Sequence, residues 1–248
     1  MSIDLFAVLR QNMPEKAQKI YNIVNDINHS RELLSRNHEI NNIGFKSFEL
    51  VNSHSIDDSP LLNQLITDIQ PDDVFYDIGA NIGTYSLVLG QNMSAEGKVV
   101  AFEPVPKTYN RLCANLRIGL GQQSWNAMNI AASNNKGITV IYSGILDRYS
   151  TLSEDNAVDH GLETEVEIET KRLDDLDLTP PDIVKIDTEG HELDVLEGAS
   201  NLIKSEGPDI YVEPHDKGAY SEKELMTYFE SHGYTVEKNN GFWHSYHE

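Results

Sequence analysis

Two short stretches concentrate the groups that can move protons or hold cations. "VKIDTEGHE" (residues 184–192) carries Lys185, Asp187, Glu189 and His191, and "YVEPHD" (211–216) carries Glu213, His215 and Asp216. In each, an apolar run ends in carboxylates and imidazoles, which can accept a proton, orient a nucleophile or ligate a hard divalent ion. Asp187, Glu189, Glu213 and His215 are therefore the candidate catalytic residues. Turn-building is the bland alternative for Glu189, which precedes Gly190. Lys185 sits inside its apolar run, so it either pairs with a carboxylate or snorkels outward. No metal is assigned: a divalent ion is possible on these oxygens but not favoured. "HELDV" does not complete the zinc motif H-E-x-x-H, because position 195 is valine.

A third stretch, "DVFYDIGANIGTYS" (73–86), runs from an apolar strand into spaced glycines. Measured from Gly79 against G-x-G-x-x-G, the second and third glycine positions hold Asn81 and Thr84, while the next glycine is Gly83. A Cβ at 81 crowds the place of a pyrophosphate, which argues against NAD or FAD. D-x-G-x-N-x-G suits instead a nucleoside with an amino-acid tail, whose ammonium Asp77 can meet directly or through water. At the end of the next strand, "AFEP" places Glu103 where a carboxylate can accept both ribose hydroxyls. The candidate cofactor contacts are Asp77, Gly79, Asn81, Gly83 and Glu103.

These stretches need elements to position them. From Pro71 onward short apolar strands alternate with helical patterns. The strands are expected at 74–78, 98–104, 125–132, 182–187 and 209–214, and the helices at 84–91, 107–119, 191–204 and 221–232. "SPLLNQLITDI" adds a helix with Ser59 at the N-cap and Pro60 at the first position. Such alternation is the pattern of an α/β, doubly wound, mostly parallel sheet, in which ligands sit beyond the carboxyl ends of the strands. "ITVIYS" and "TEVEIETKRLDDL" read as an inserted strand pair or edge strands. "FWHSYHE", with His244 and His247, reads as an edge strand or frayed tail, and Cys113 as packed core. Residues 1 to about 38 read as helical, followed by a strand near Phe48–Val51.

Composition narrows the class. The chain has 248 residues and a formal net charge of −21, from 40 acidic against 19 basic residues. That field repels nucleic acid and anionic membrane surfaces, so neither is an expected partner. The single cysteine leaves no internal disulfide, and no apolar run reaches membrane-span length. With no secretion signal at the start, a cytoplasmic location is expected. The acidity reads either as an ordinary solubilising surface or as adaptation to high salt.

"DVFYDIGANIGTYSLVLG", "VVAFEPVPKTYNRLCANL", "RLDDL" and "PDIVKIDTEGHELDVLEGA" together resemble the FkbM-type S-adenosylmethionine-dependent methyltransferases over about residues 71–235. The resemblance implies a seven-stranded class I methyltransferase fold. It also implies S-adenosyl-L-methionine as cofactor, bound through Asp77, Gly79, Asn81, Gly83 and Glu103, and O-methylation of a small-molecule or glycan hydroxyl. An N-methyltransferase, another transferase using the same nucleoside, and a non-catalytic binding module are the alternatives. Residues 61–248 form the expected methyltransferase domain. Residues 1–60 are expected to form an N-terminal helical extension, with a lid or acceptor-binding element as one role open to them; no motif in them identifies the acceptor.

Overall fold

Strand β3 (Val74–Ile78) is buried at every position, because helices cover both faces of its sheet. Its side chains alternate between two layers. Phe75 joins an apolar cluster with Leu61, Leu65, Leu87, Leu112 and Leu116, while Tyr76 and Ile78 join another with Val195, Leu196, Ile203, Leu225 and Phe229. The structure, a computed structural model, describes residues 36–40, 42–47, 59–143, 150–151, 164–215 and 220–247. Residues 1–35 of the helix expected to about residue 38, the strand near Phe48–Val51 and Asp216 lie outside them.

The first cluster is supplied by α1 (Pro60–Asp68), α2 (Thr84–Asn92) and α3 (Pro106–Gly119), the second by α4 (Glu192–Gly198), α5 (Ser200–Glu206) and α6 (Glu222–Ser231). Ser59 caps α1 by accepting from the Leu62 amide, with Pro60 in the first turn as expected. Ser221 and Glu224 form a reciprocal capping box on α6.

Between these layers lies a seven-stranded sheet. Besides β3 it contains β4 (Lys98–Phe102), β5 (Ser124–Met128), β10 (Ile183–Ile186), β11 (Asp209–Val212), β12 (Thr235–Lys238) and β13 (Trp243–Tyr246). The spatial order is β12-β13-β11-β10-β3-β4-β5, and β13 alone runs antiparallel to its neighbours. Chain direction across the sheet reverses between β3 and β10, which makes their carboxyl ends the switch-point crevice where this class of fold binds ligands. The register aligns those ends. Asp77 pairs with Lys185 and Ile186 with Val212, and the Asp187 amide donates to the Ile78 carbonyl.

Three features differ from the sequence reading. The segment read as strand 125–132 divides, with β5 in the large sheet and β6 (Ala131–Ala132) in a second, four-stranded sheet. The divide falls at Asn129, whose side-chain amide donates to the carbonyls of Glu103 and Pro104. The inserted pair, β7 (Gly137–Ser143) and β9 (Thr164–Lys171), is antiparallel as a pair. Of the two readings open to it, the structure has the insertion, not an edge of the first sheet, and the pair builds that second sheet, β6-β9-β7-β8, with β8 (Ser150–Thr151). The 191–204 helix breaks at Ala199 into α4 and α5. The terminal segment is no edge: β13 lies inside the sheet, with Trp243 and Ser245 buried.

Residues 36–38, read as the end of a helix, belong instead to β1 (Arg36–Ile40), which forms a hairpin with β2 (Ile43–Ser47). Ile40 and Phe45 bury into the cluster containing α2 and α3. Each such side chain is worth about 1.5–3 kcal/mol of apolar burial.

Candidate active site

The loop from β3 to α2 is shaped by its glycines. Gly79 has φ 78°, and a Cβ there would lie 1.8 Å from the Asp187 carbonyl oxygen. Gly83, at φ 90°, would drive a Cβ to 2.6 Å from Leu112. The loop is therefore pressed against the end of β10 on one side and α3 on the other, and neither site admits a side chain. Asn81 also adopts a left-handed backbone, at φ 50°. Its amide donates to Glu103 Oε2 at 3.0 Å, and the Val105 amide donates to Oε1 at 2.9 Å. Burial pushes the Glu103 carboxyl up to about 7 despite these two bonds. Glu103 thus joins the loop to the end of β4, and a carboxylate with one bond on each oxygen keeps further acceptor capacity.

Asp77 is fully buried, and its Oδ2 accepts from both the amide and the hydroxyl of Ser86, at 3.1 and 2.7 Å. The ammonium that its Oδ1 meets is that of Lys185, at 3.2 Å. Lys185 Nζ also donates to the Gly79 carbonyl at 3.2 Å, lies 3.5 Å from Asp187 Oδ2, and sits 4.8 Å above the Tyr85 ring. Burial alone would lower the Lys185 pKa, but Asp77 and Asp187 outweigh it and hold the ammonium charged. Of the two outcomes open to Lys185 in the sequence, the structure has pairing. The lysine ties the glycine loop to the neighbouring strand end.

Beyond Lys185 the second half of the site opens. His215 Nε2 lies 3.4 Å from Glu189 Oε2 and 3.9 Å from Asp187 Oδ1, while Nδ1 is 3.0 Å from Glu192 Oε1. Burial disfavours charge on His215, yet Glu192, Asp187 and Glu189 raise its pKa to about 9, so the ring is an imidazolium at neutral pH. Burial, then the neighbouring Asp187 charge, lift Glu213 to about 7. A carboxyl near 7 is suited to taking up a proton at neutral pH. Asp187, Glu189 and His215 are the described metal-ligating residues whose donor atoms converge, all within 4.8 Å of one another.

Glu192 is the group that sequence reasoning did not single out. It is fully buried in the first turn of α4 and accepts from the amides of Thr188 and Gly190, at 3.1 and 3.0 Å, and from Tyr220 at 2.6 Å. Burial works against its charge, but these bonds and His215 overcome it and hold its pKa below the usual carboxylate value. It pins the turn that carries Glu189, whose φ is 54°. The only sequence signal was an acidic residue in a helix first turn, within "TEGHE". His191 is not brought to the cluster by any of these contacts, and burial lowers its pKa.

The strand order makes this a doubly wound, Rossmann-like sheet, with a glycine loop, a carboxylate ending the next strand and a polar cluster across the switch point. Residues 77–236 match the Methyltransferase FkbM domain, and the chain belongs to that family. It is 31% identical over 159 residues to the hexuronic acid methyltransferase AglP of Haloferax volcanii, a match covering 58% of this chain and 57% of that protein. It is 26% identical over 197 residues to the methyltransferase sdnD of Sordaria araneosa, covering 67% of this chain and 75% of the relative. Among solved structures, the methyltransferase FkbM from Methylobacillus flagellatus KT shares the fold with a TM-score of 0.50 at 16% identity. That likeness spans 73% of this chain and 45% of the other. Among the described residues no helix is long and apolar enough to cross a membrane.

Proposed function

We propose that this chain is an S-adenosylmethionine-dependent O-methyltransferase acting on a hydroxyl of a sugar, glycan or related small metabolite. The observation that carries the reading is the meeting, at one switch point, of a nucleoside-type half and a proton-handling half. Glu103 and the Gly79–Gly83 loop stand on one side, and Asp187, Glu189, Glu213 and His215 on the other. Family membership and the 31% identity to a hexuronic acid methyltransferase support a methyl donor and a sugar-type acceptor.

In this reading Glu103 receives the ribose hydroxyls, and the loop from Gly79 to Gly83, with Asn81, lies along the nucleoside. Asp77 acts through its bonds to Ser86 and Lys185, holding the loop that faces the amino-acid tail. Methyl transfer is an in-line displacement on a sulfonium carbon, so alignment of the acceptor oxygen is most of the task. Asp187 and Glu213 face that oxygen. Glu213 takes its proton as the new bond forms, and His215 and Glu189 orient the acceptor.

Calorimetry tests the donor. S-adenosylmethionine or its demethylated product should bind with a measurable heat, and NAD should not. Tight NAD binding without heat from the methyl donor overturns the reading. Transfer of labelled methyl from the donor to a pool of glycosides and hydroxylated metabolites then tests the acceptor class.

A further inference from the structure

We propose that Asp187, Glu189 and His215 form a binding site for one divalent first-row cation of the Mn²⁺ type, with Glu192 as the carboxylate that orients the histidine behind it. Metal–ligand bonds of about 2.1 Å place donor pairs of one coordination sphere roughly 3.0–4.2 Å apart. The two histidine pairs, 3.4 and 3.9 Å, already stand in that range. The three donor atoms lie within 4.8 Å of one another, and small rotations of the Glu189 side chain, 36% exposed, draw the remaining pair together.

The donor set selects the ion class. Two carboxylate oxygens and one imidazole nitrogen, which the cation takes by displacing the Nε2 proton into solvent, suit Mn²⁺ and its first-row neighbours better than Mg²⁺ or Ca²⁺, which prefer oxygen throughout. None of the three side chains is fully buried, so an ion held by them keeps open positions toward the crevice.

The independent observation is Glu192, which is no part of the donor triad. Its fully buried carboxylate receives His215 Nδ1, which fixes the ring so that Nε2 faces Asp187 and Glu189. The same carboxylate holds the amides on either side of Glu189. A carboxylate on the remote nitrogen of a histidine is the recurrent outer support of a metal-bound imidazole. Here one buried group sets the direction of two ligands, one from each strand end. Resting on the methyltransferase reading, the ion's open position would take the acceptor hydroxyl and lower its pKa, with Glu213 receiving the proton.

The test measures the ion without cofactor or acceptor, so it stands apart from that reading. Full-length protein, dialysed against chelator and then into chelator-free buffer with 0.3 M KCl (an on-the-order-of choice to screen the acidic surface), is titrated with MnCl₂. Free Mn²⁺ is followed by its electron paramagnetic resonance. We expect saturation at one ion per chain. Glu189→Gln, a mild change at a half-buried side chain, should weaken binding by roughly tenfold or more, and Glu192→Gln by about 10–100-fold. Circular dichroism checks that each variant is folded. Substituting the remote exposed Glu222→Gln should change nothing. Absence of stoichiometric binding to the folded wild type overturns the proposal. So does binding that folded Glu189→Gln and His215→Ala retain at full strength, since the ions would then belong to the diffuse acidic surface.

Discussion

The two halves of the crevice are built from the same residue types and behave differently. On the β3–β4 side, Asp77 and Glu103 are buried and every carboxylate oxygen meets a donor or an ammonium within the protein. On the β10–β11 side, Asp187, Glu189 and His215 are each between a quarter and two-fifths exposed, and they face one another. The first half is therefore a fixed frame, and the second a charge cluster whose balance a ligand can change. Lys185 stands at the boundary, satisfying Asp77 and Gly79 on one side and Asp187 on the other.

The comparison is broken most severely at that boundary. Lys185→Ala leaves Asp77 as an uncompensated buried charge, and removing one partner of a buried pair costs about 3–5 kcal/mol. Denaturant unfolding should report this loss directly. The double variant Asp77→Asn/Lys185→Met should recover part of it, because no lone charge remains. Equal stability of Lys185→Ala and wild type would mean that the frame does not depend on the pair.

A next, smaller effect should separate the halves by function. Asp187→Asn should keep the fold and the affinity for the methyl donor while lowering turnover by about 10²-fold, the scale on which misplacing the acceptor oxygen slows a reaction. Steady-state kinetics and donor calorimetry on the same preparation check both parts. Loss of donor affinity instead would place Asp187 in the frame.

This division was only partly legible in the sequence. Strand β3 is legible at its observed limits, since a five-residue run rich in β-branched and aromatic side chains between Asp73 and Gly79 is too short for a helix. The carboxyl-terminal position of Asp187 and Glu213 followed from parallel topology alone. Local patterns could not say where a chain leaves one sheet for another, as it does at Asn129. That break rests on bonds to carbonyls 25 and 26 residues away. Nor could they show that α4 and α5 part at Ala199, beside Gly198, where a Cβ would meet the Ser133 carbonyl oxygen at 1.9 Å. Glu192 was hidden for the same reason: its partners His215 and Tyr220 lie 23 and 28 residues on. The inward turn of Asp77 toward Ser86 and Lys185 likewise depends on pairing between strands more than a hundred residues apart.

The smallest effect concerns Glu103, the member of the frame that the proposed cofactor would touch. Burial raises its carboxyl from the ordinary 4.5 to about 7 in the folded protein. A carboxyl raised on folding contributes stability that is present below the unfolded pKa and is lost as pH climbs from about 4.5 through 7. Ribose hydroxyls donate to the ionised form, so donor binding should favour the carboxylate and release a proton near neutrality. Affinity should therefore rise roughly tenfold between pH 6 and pH 8, the range over which a group titrating near 7 passes from mostly neutral to mostly charged. Calorimetry in two buffers of different ionisation heat should register release of about half a proton at pH 7. Glu103→Gln should bind more weakly and lose both the pH slope and the proton release. If the wild type binds the methyl donor with one affinity from pH 6 to 8 and releases no proton, Glu103 serves only its bonds to Asn81 and Val105. The frame would then close the loop without reading the ribose.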